Sequence, residues 1–221
     1  MRVIVTRPRG RADALADALR SEGFDVVVCP LVELVPIGPD RIDVSGYDWV
    51  VVTSAYGAEQ LAFRYEGDLP RVAAVGPATA EALREHGLDV ALVARAPSQE
   101  GLVAEFPRPA GRVVFVGAAG ARDVLERELG ADTLAVYETR TLRPDSPPSG
   151  DLVVLASGSA ARGWAALGVH VPAISIGPQT TSVAAAAGVE IVCEAQSPDV
   201  RGLVDCATAW RASSRSSPTS G

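Results

Sequence analysis

Val72-Ala73-Ala74-Val75-Gly76-Pro77-Ala78-Thr79 decides how this chain folds, because an apolar run ends in Gly-Pro and an Ala-rich segment follows as far as Gly87. The run is apolar throughout rather than alternating, as expected of a parallel strand covered on both faces. A proline suits the first turn of a helix, where its missing N–H costs nothing, and a glycine suits the end. The stretch therefore reads as strand, tight turn and helix, with the helix over Ala78 to Glu85.

The same grammar recurs along the chain. Val3-Ile4-Val5-Thr6, Trp49-Val50-Val51-Val52-Thr53, Val113-Val114-Phe115-Val116-Gly117, Leu152-Val153-Val154-Leu155-Ala156-Ser157 and Ala173-Ile174-Ser175-Ile176-Gly177 are equally apolar and end in small or polar residues. Shorter runs at Val26 to Val28, Val90 to Val93, Leu134 to Val136 and Ile191 to Cys193 bring the set to about ten. Helical patterns alternate with them. Ala12 to Ser21 places Leu15 and Leu19 four apart before Gly23, and Thr180 to Ala187 stops at Gly188. Strands and helices in rotation mean βαβ units and a doubly wound parallel α/β fold.

The chain also repeats itself. Val75-Gly76-Pro77-Ala78-Thr79 returns as Ile176-Gly177-Pro178-Gln179-Thr180. Each is followed by an Ala-rich helix, a glycine-led turn and strand, a serine (Ser98, Ser197) and Gly-Leu-Val at 101–103 and 202–204. Asp48 to Ser54 is matched by Asp151 to Ser157, and Arg2-Val3-Ile4-Val5 by Arg112-Val113-Val114-Phe115. Self-similarity of this kind implies two related domains. The matching pieces do not run in simple tandem, and the repeats alone leave open which piece belongs with which.

Composition narrows the function. The 221 residues are 48 % apolar and 21 % charged, an ordinary globular balance with room for two domains of about 100 residues. The net charge of −7, with no basic stripe, argues against nucleic acid as a partner. No apolar run reaches the roughly 18–20 residues that span a bilayer, and the first residues carry charge too early for a secretory signal, so no membrane contact and a cytoplasmic location are expected. Cys29, Cys193 and Cys206 are odd in number and widely spaced, and read as small buried hydrophobes rather than a disulfide or metal framework. The local cationic cluster is Arg2, Arg7, Arg9 and Arg11, either a solvated strand end or a site for anionic groups. His86 reads as a helix-end residue and His170 as a loop residue, so no Ser–His–Asp arrangement follows from them. Gly117-Ala118-Ala119-Gly120 sits between strand and helix but lacks the spacing of a dinucleotide loop.

Several segments together resemble the uroporphyrinogen-III synthase family: Val5-Thr6-Arg7-Pro8, Tyr47-Asp48 leading to Thr53-Ser54, the two Gly-Pro-x-Thr turns, Val136-Tyr137-Glu138-Thr139, and Ser197-Pro198 before Gly202-Leu203-Val204. The resemblance spans roughly residues 2 to 208. It implies two flavodoxin-like domains joined by a two-stranded linker, with domain one built from residues 1–36 and 145–212 and domain two from 37–138. Linker strands are expected at Leu31 to Ile37 and Glu138 to Pro144, with 139–144 the return crossing. Each domain then receives five of the ten strands. The Ser-rich tail from Arg211, and residues 213–221 in particular, is expected to be disordered.

The resemblance implies cyclisation of hydroxymethylbilane, a linear carboxylate-rich tetrapyrrole, to uroporphyrinogen III in haem, sirohaem and cobalamin biosynthesis. The hydroxyl leaves, the azafulvene is attacked at the substituted carbon of the last pyrrole, and a spiro intermediate fragments and recloses with that ring inverted. Neither cofactor nor metal is expected. A transient contact with hydroxymethylbilane synthase is expected, because the substrate also closes unaided to the symmetrical isomer.

In doubly wound sheets ligands bind outside the carboxyl ends of the strands, where helix N-termini offer N–H groups to anions. The turns there make Thr6, Arg7, Thr53, Ser54, Thr79, Arg122, Ser157, Ser159, Gln179 and Thr180 the candidate substrate contacts, with two domains closing on the substrate. Ser and Thr are also ordinary helix caps, so each has a structural reading beside the functional one. Gln179 stands where the family commonly has Thr, and Val116 where an Arg often precedes the glycine. Tyr137 matches the family's cleft tyrosine and is the candidate acid that helps the hydroxyl leave, since a phenol with an ordinary pKa of about 10 keeps its proton at neutral pH. Two alternatives stand beside this: a non-catalytic two-domain tetrapyrrole-binding or regulatory module, and a nucleotide-dependent enzyme of related fold.

Overall fold

The computed structural model describes residues 1–216, the last two by backbone alone. In chain order the strands are β1 (Arg2–Val5), β2 (Asp25–Val28), β3 (Val32–Pro36), β4 (Ile42–Asp43), β5 (Trp49–Val52), β6 (Tyr65–Glu66) and β7 (Arg71–Ala74). They continue as β8 (Leu92–Val93), β9 (Val113–Ala118), β10 (Asp132–Thr141), β11 (Leu152–Leu155), β12 (Ala173–Ser175) and β13 (Ile191–Glu194). The helices are α1 (Asp13–Ser21), α2 (Ala55–Arg64), α3 (Pro77–Glu85), α4 (Gln99–Glu105), α5 (Val124–Leu129), α6 (Gly158–Ala165), α7 (Pro178–Ala186) and α8 (Val200–Ser216). All ten expected strands form. The two-residue β4 and β6 pair with each other and are too short to carry a readable period.

The chain divides into two compact units, one made of Met1–Glu33 with Arg140 onward and the other of Leu34–Thr139. The first holds a parallel five-stranded sheet in the order β13-β12-β11-β1-β2. Renumbered within the unit this is 2-1-3-4-5, the flavodoxin order, with its switch point between β1 and β11. Successive strand residues face opposite ways. Val3, Val5 and Val154 pack with Leu15 and Leu19 of α1 and Leu203 of α8, while Ile4, Val153 and Leu155 pack with Trp164 of α6 and Ala184 of α7. Helices thus cover both faces.

The second unit holds β3-β10-β9-β5-β7-β8. The five strands from β10 to β8 lie in the same spatial pattern but enter the sequence at a different strand, so one sheet is a circular permutation of the other. Val50 and Val52 face Leu61 of α2 and Leu83 of α3, and Trp49 and Val51 face Leu102 of α4 and Leu125 of α5. β3 lies beside β10. The Ile37 N–H donates to Val136 O at 3.0 Å and the Leu142 N–H to Leu31 O at 2.8 Å. This strand pair is where the chain passes between the units.

Two expectations are corrected. Cys193 and Cys206 form a disulfide with Cα atoms 5.9 Å apart, because β13 and α8 pack side by side and bring them within bonding range. Only Cys29 is free among the described residues, and burial pushes its thiol pKa up. The tail expected to lack order from Arg211 is instead helical to Ser216. Arg211 donates to Glu22 O at 2.7 Å and lies 4.1 Å from the centroid of the Phe24 ring, which ties α8 to the turn after α1. Residues 217–221 lie outside the described part.

Candidate functional site

In the Leu34–Thr139 unit, the carboxyl ends of β5, β7 and β9 lead into Thr53 and Ser54, Thr79 and Arg122, and Tyr137 within β10 pairs with Ala118, the last residue of β9. Ser54 caps α2, its Oγ accepting the Gly57 N–H at 3.0 Å. A Cβ on Gly57 would lie 3.1 Å from that oxygen, so glycine leaves the capping serine its room. The same oxygen lies 2.9 Å from the Tyr137 hydroxyl. Tyr137 is 8 % exposed, and the Tyr56 ring meets it edge-on with centroids 5.0 Å apart and planes at 81°.

A β-bulge explains how Tyr137 comes to face Ser54. The register of β10 on β9 runs Ala135 opposite Gly117 and then Tyr137 opposite Ala118, so two residues of β10 stand against one of β9. In a regular strand Val136 and Tyr137 would point to opposite faces. Here both enter the cluster beneath α2 and α3. The Ala119 N–H fixes the Tyr137 carbonyl at 2.7 Å.

Thr79 is 5 % exposed, and no hydrogen bond holds its hydroxyl among the described residues. Thr180, its repeat counterpart, is also 5 % exposed with an uncommitted hydroxyl, in the first turn of α7. Thr53 is half-buried. Arg122 is spoken for: its guanidinium bonds both oxygens of Glu100 and holds that carboxyl below the usual carboxylate range.

In the other unit the predicted residues line the ends of β1, β11 and β12. Thr6 is fully buried and its hydroxyl donates to Val154 O at 2.7 Å, which makes it a tie between β1 and β11 rather than a ligand-facing group. Arg7 is half-buried, and no carboxylate pairs with it among the described residues. Burial, and secondly the charge of Arg11, press its pKa below the ordinary guanidinium value. A cation so placed gains by meeting an anion. Ser157 caps α6 through the Ala160 N–H at 3.1 Å, Ser159 accepts a long 3.5 Å contact from Arg162, and Gln179 is exposed.

Two features carry no sequence signal that would single them out. Tyr56 was a plain helix residue until the fold set it against Tyr137. At the ends of β12 and β13, the buried Ser175 hydroxyl meets Thr181 Oγ1 at 2.5 Å, and Thr181 donates to Glu194. A shallow 470 Å³ cavity lined by Leu69, Arg71, Arg84 and Asp89 opens at the amino end of β7, away from the edge where such sheets bind ligands. No group of side chains that could hold a metal occurs among the described residues. No described helix is long and apolar enough to cross a membrane.

Comparison with known proteins bears on the family and the fold. Residues 13–205 match the family described as uroporphyrinogen-III synthase HemD. A uroporphyrinogen-III synthase of Synechococcus elongatus is 26 % identical, covering 94 % of each chain. A putative uroporphyrinogen-III synthase of Methanocaldococcus jannaschii is 29 % identical over 63 % of this chain and 62 % of its own, less than two thirds of its length. Among solved structures, a mutant uroporphyrinogen III synthase of the extreme thermophile Thermus thermophilus superimposes with a TM-score of 0.65 at 15 % identity, covering 98 % of this chain and all of that one. The wild-type protein in another crystal form gives 0.52 at 18 % identity, covering 97 % and 98 %. At such identity these structures speak for the fold, while the sequence match over most of the chain settles kinship: the chain belongs to the uroporphyrinogen-III synthase family.

Proposed function

We propose that this chain is an active uroporphyrinogen-III synthase, a cyclising lyase that turns hydroxymethylbilane into uroporphyrinogen III and water, with Tyr137 as its proton donor. The observation that carries the reading is the Tyr137 phenol, turned by a bulge to within 2.9 Å of the Ser54 cap. It lies in the unit that also presents the uncommitted Thr79 hydroxyl.

The phenol O–H protonates the departing hydroxyl, which leaves as water and generates the azafulvene in its N-protonated, cationic form beside the phenolate. The substituted carbon of the last pyrrole attacks, and the spiro intermediate fragments and recloses with that ring inverted. The proton lost from the final pyrrole carbon balances the one Tyr137 gave. In the Leu34–Thr139 unit the Thr79 hydroxyl and the N–H groups at the start of α3 are suited to a substrate carboxylate, and in the other unit Arg7, the Thr180 hydroxyl and the N–H groups at the start of α7 are suited to one. Ser54, Ser157, Thr53 and Ser159 border these turns. Arg122 contributes once substrate competes with Glu100.

The same proposal places the enzyme in the cytoplasm and has it receive its substrate directly from hydroxymethylbilane synthase, which shortens the time available for unaided closure. The deciding assay supplies the purified chain with fresh hydroxymethylbilane, oxidises the products and separates the uroporphyrin isomers. A majority of the type III isomer is expected. Type I alone, at the spontaneous rate, would refute catalysis and favour a binding module.

A further inference from the structure

Three restraints of different kinds converge on Tyr137: a bulge under its backbone, the Tyr56 ring at its edge and the Ser54 hydroxyl at its tip. We infer that Ser54 and Tyr56 are positioning residues that act on the reaction through Tyr137, Ser54 by supplying a hydrogen bond to the phenolic oxygen as its proton departs. The inference rests on Tyr137 being the proton donor.

The hydrogen count at Ser54 carries the argument. Its Oγ has one hydrogen and two lone pairs, and the Gly57 N–H occupies one lone pair. The 2.9 Å contact to Tyr137 can run in either direction, and the phenol has no second hydrogen-bond partner among the described residues. Before reaction the phenol can donate to Ser54. Once it turns its proton to the substrate, the Ser54 hydroxyl rotates and donates to the phenolate oxygen instead. A hydrogen bond to a charged oxygen is the stronger kind, and here it exists only as charge develops. The contribution therefore falls on kcat rather than KM.

Tyr56 has a complementary task. Its ring meets Tyr137 at 81°, an edge-to-face packing that restricts rotation of the phenol, and its hydroxyl makes a long 3.5 Å contact with Leu34 O. The repeat offers an internal contrast. Ser157 caps α6 as Ser54 caps α2, yet among the described residues no phenol is bonded to Ser157. Capping alone does not require a tyrosine partner.

The test is a double-mutant cycle on the full chain with hydroxymethylbilane, reading kcat and KM separately and checking folding by thermal unfolding. Ser54→Ala is expected to lower kcat roughly ten- to a hundredfold with KM little changed, in line with losing one hydrogen bond to a charged oxygen. In a Tyr137→Phe background the same change should cost almost nothing. Ser54→Thr should restore most of the rate, and Tyr56→Phe should retain it where Tyr56→Leu does not. Ser54→Gly, which spares most of the cap energy, keeps the test open if the alanine variant folds poorly. Ser98→Ala removes a comparable cap at α4 and should combine additively with Tyr137→Phe. Equal losses from Ser54→Ala in both backgrounds, or none in either, would overturn the positioning role alone. Parental kcat in Tyr137→Phe would remove the proton-donor reading and this inference with it.

Discussion

Thr6 and Ser54 both stand just past a strand and both were candidates for touching substrate, yet the fold gives them different work. The Thr6 hydroxyl is sealed inside the sheet and donates across from β1 to Val154 O. Replacing it by valine keeps the shape and leaves a buried carbonyl short of one partner. Thr6→Val should therefore lower the unfolding free energy by about 1–2 kcal/mol in a denaturant titration, with KM for hydroxymethylbilane unchanged. A raised KM at full stability would return Thr6 to the binding surface. The sequence distinguishes the two poorly, because inward or outward direction at a strand end depends on which neighbour pairs with it, here a strand 148 positions away. Tyr137 was singled out through the family resemblance. The bulge that aims it was not, since nothing in Ala135-Val136-Tyr137 marks an extra residue until β9 is set alongside.

At the level of elements, the Gly-Leu-Val repeat at 101–103 and 202–204 has a steric cause. A Cβ on Gly101 would lie 2.2 Å from Ala96 O, and one on Gly202 would lie 2.3 Å from Ser197 O. In each case the loop's own backbone folds onto the first turn of the following helix. Gly101→Ala and Gly202→Ala should each destabilise their unit by about 2 kcal/mol or more, because backbone rather than a side-chain tip must move. A neutral result for either, by the same titration, would mean that the loop yields freely. Helices and strands were readable for similarly local reasons. Gly23, Gly87 and Gly188 end α1, α3 and α7 with φ of 78°, 77° and 78°, a backbone conformation that favours glycine. The far end of α8 was misread because its Ser-rich composition resembles a solvated tail. What holds it is Arg211 against Glu22 and Phe24, a contact between distant segments.

Over the whole molecule, the parts were clear in the sequence and their assembly was not. Matching repeats implied two related domains, but only spatial strand order separates a tandem from a permuted pair. The disulfide escaped for the same reason. Thirteen positions separate Cys193 from Cys206, and only the packing of α8 on β13 makes them neighbours. Alkylation of the denatured, unreduced protein should label one cysteine, Cys29, and all three after reduction. Reduction should lower the thermal midpoint of the unit that contains the bridge, since closing so short a loop contributes up to about 3 kcal/mol. Three labelled cysteines without reductant would show the bridge absent in solution.

The interleaving of the two sheets also sets an order of events on the ribosome. β1 is an interior strand of its sheet, between β2 and β11, yet its partner β11 begins only at Leu152. By the time Thr139 has emerged, the inserted unit has all of its strands and can close its own core. The opening strand pair must meanwhile wait with one edge bare, a risk for mispairing during synthesis. The later-emerging half of its sheet arrives as β11, β12 and β13, followed by α8 over their exposed face. The nascent chain thus finishes the unit bearing Tyr137 first and the one bearing Arg7 last.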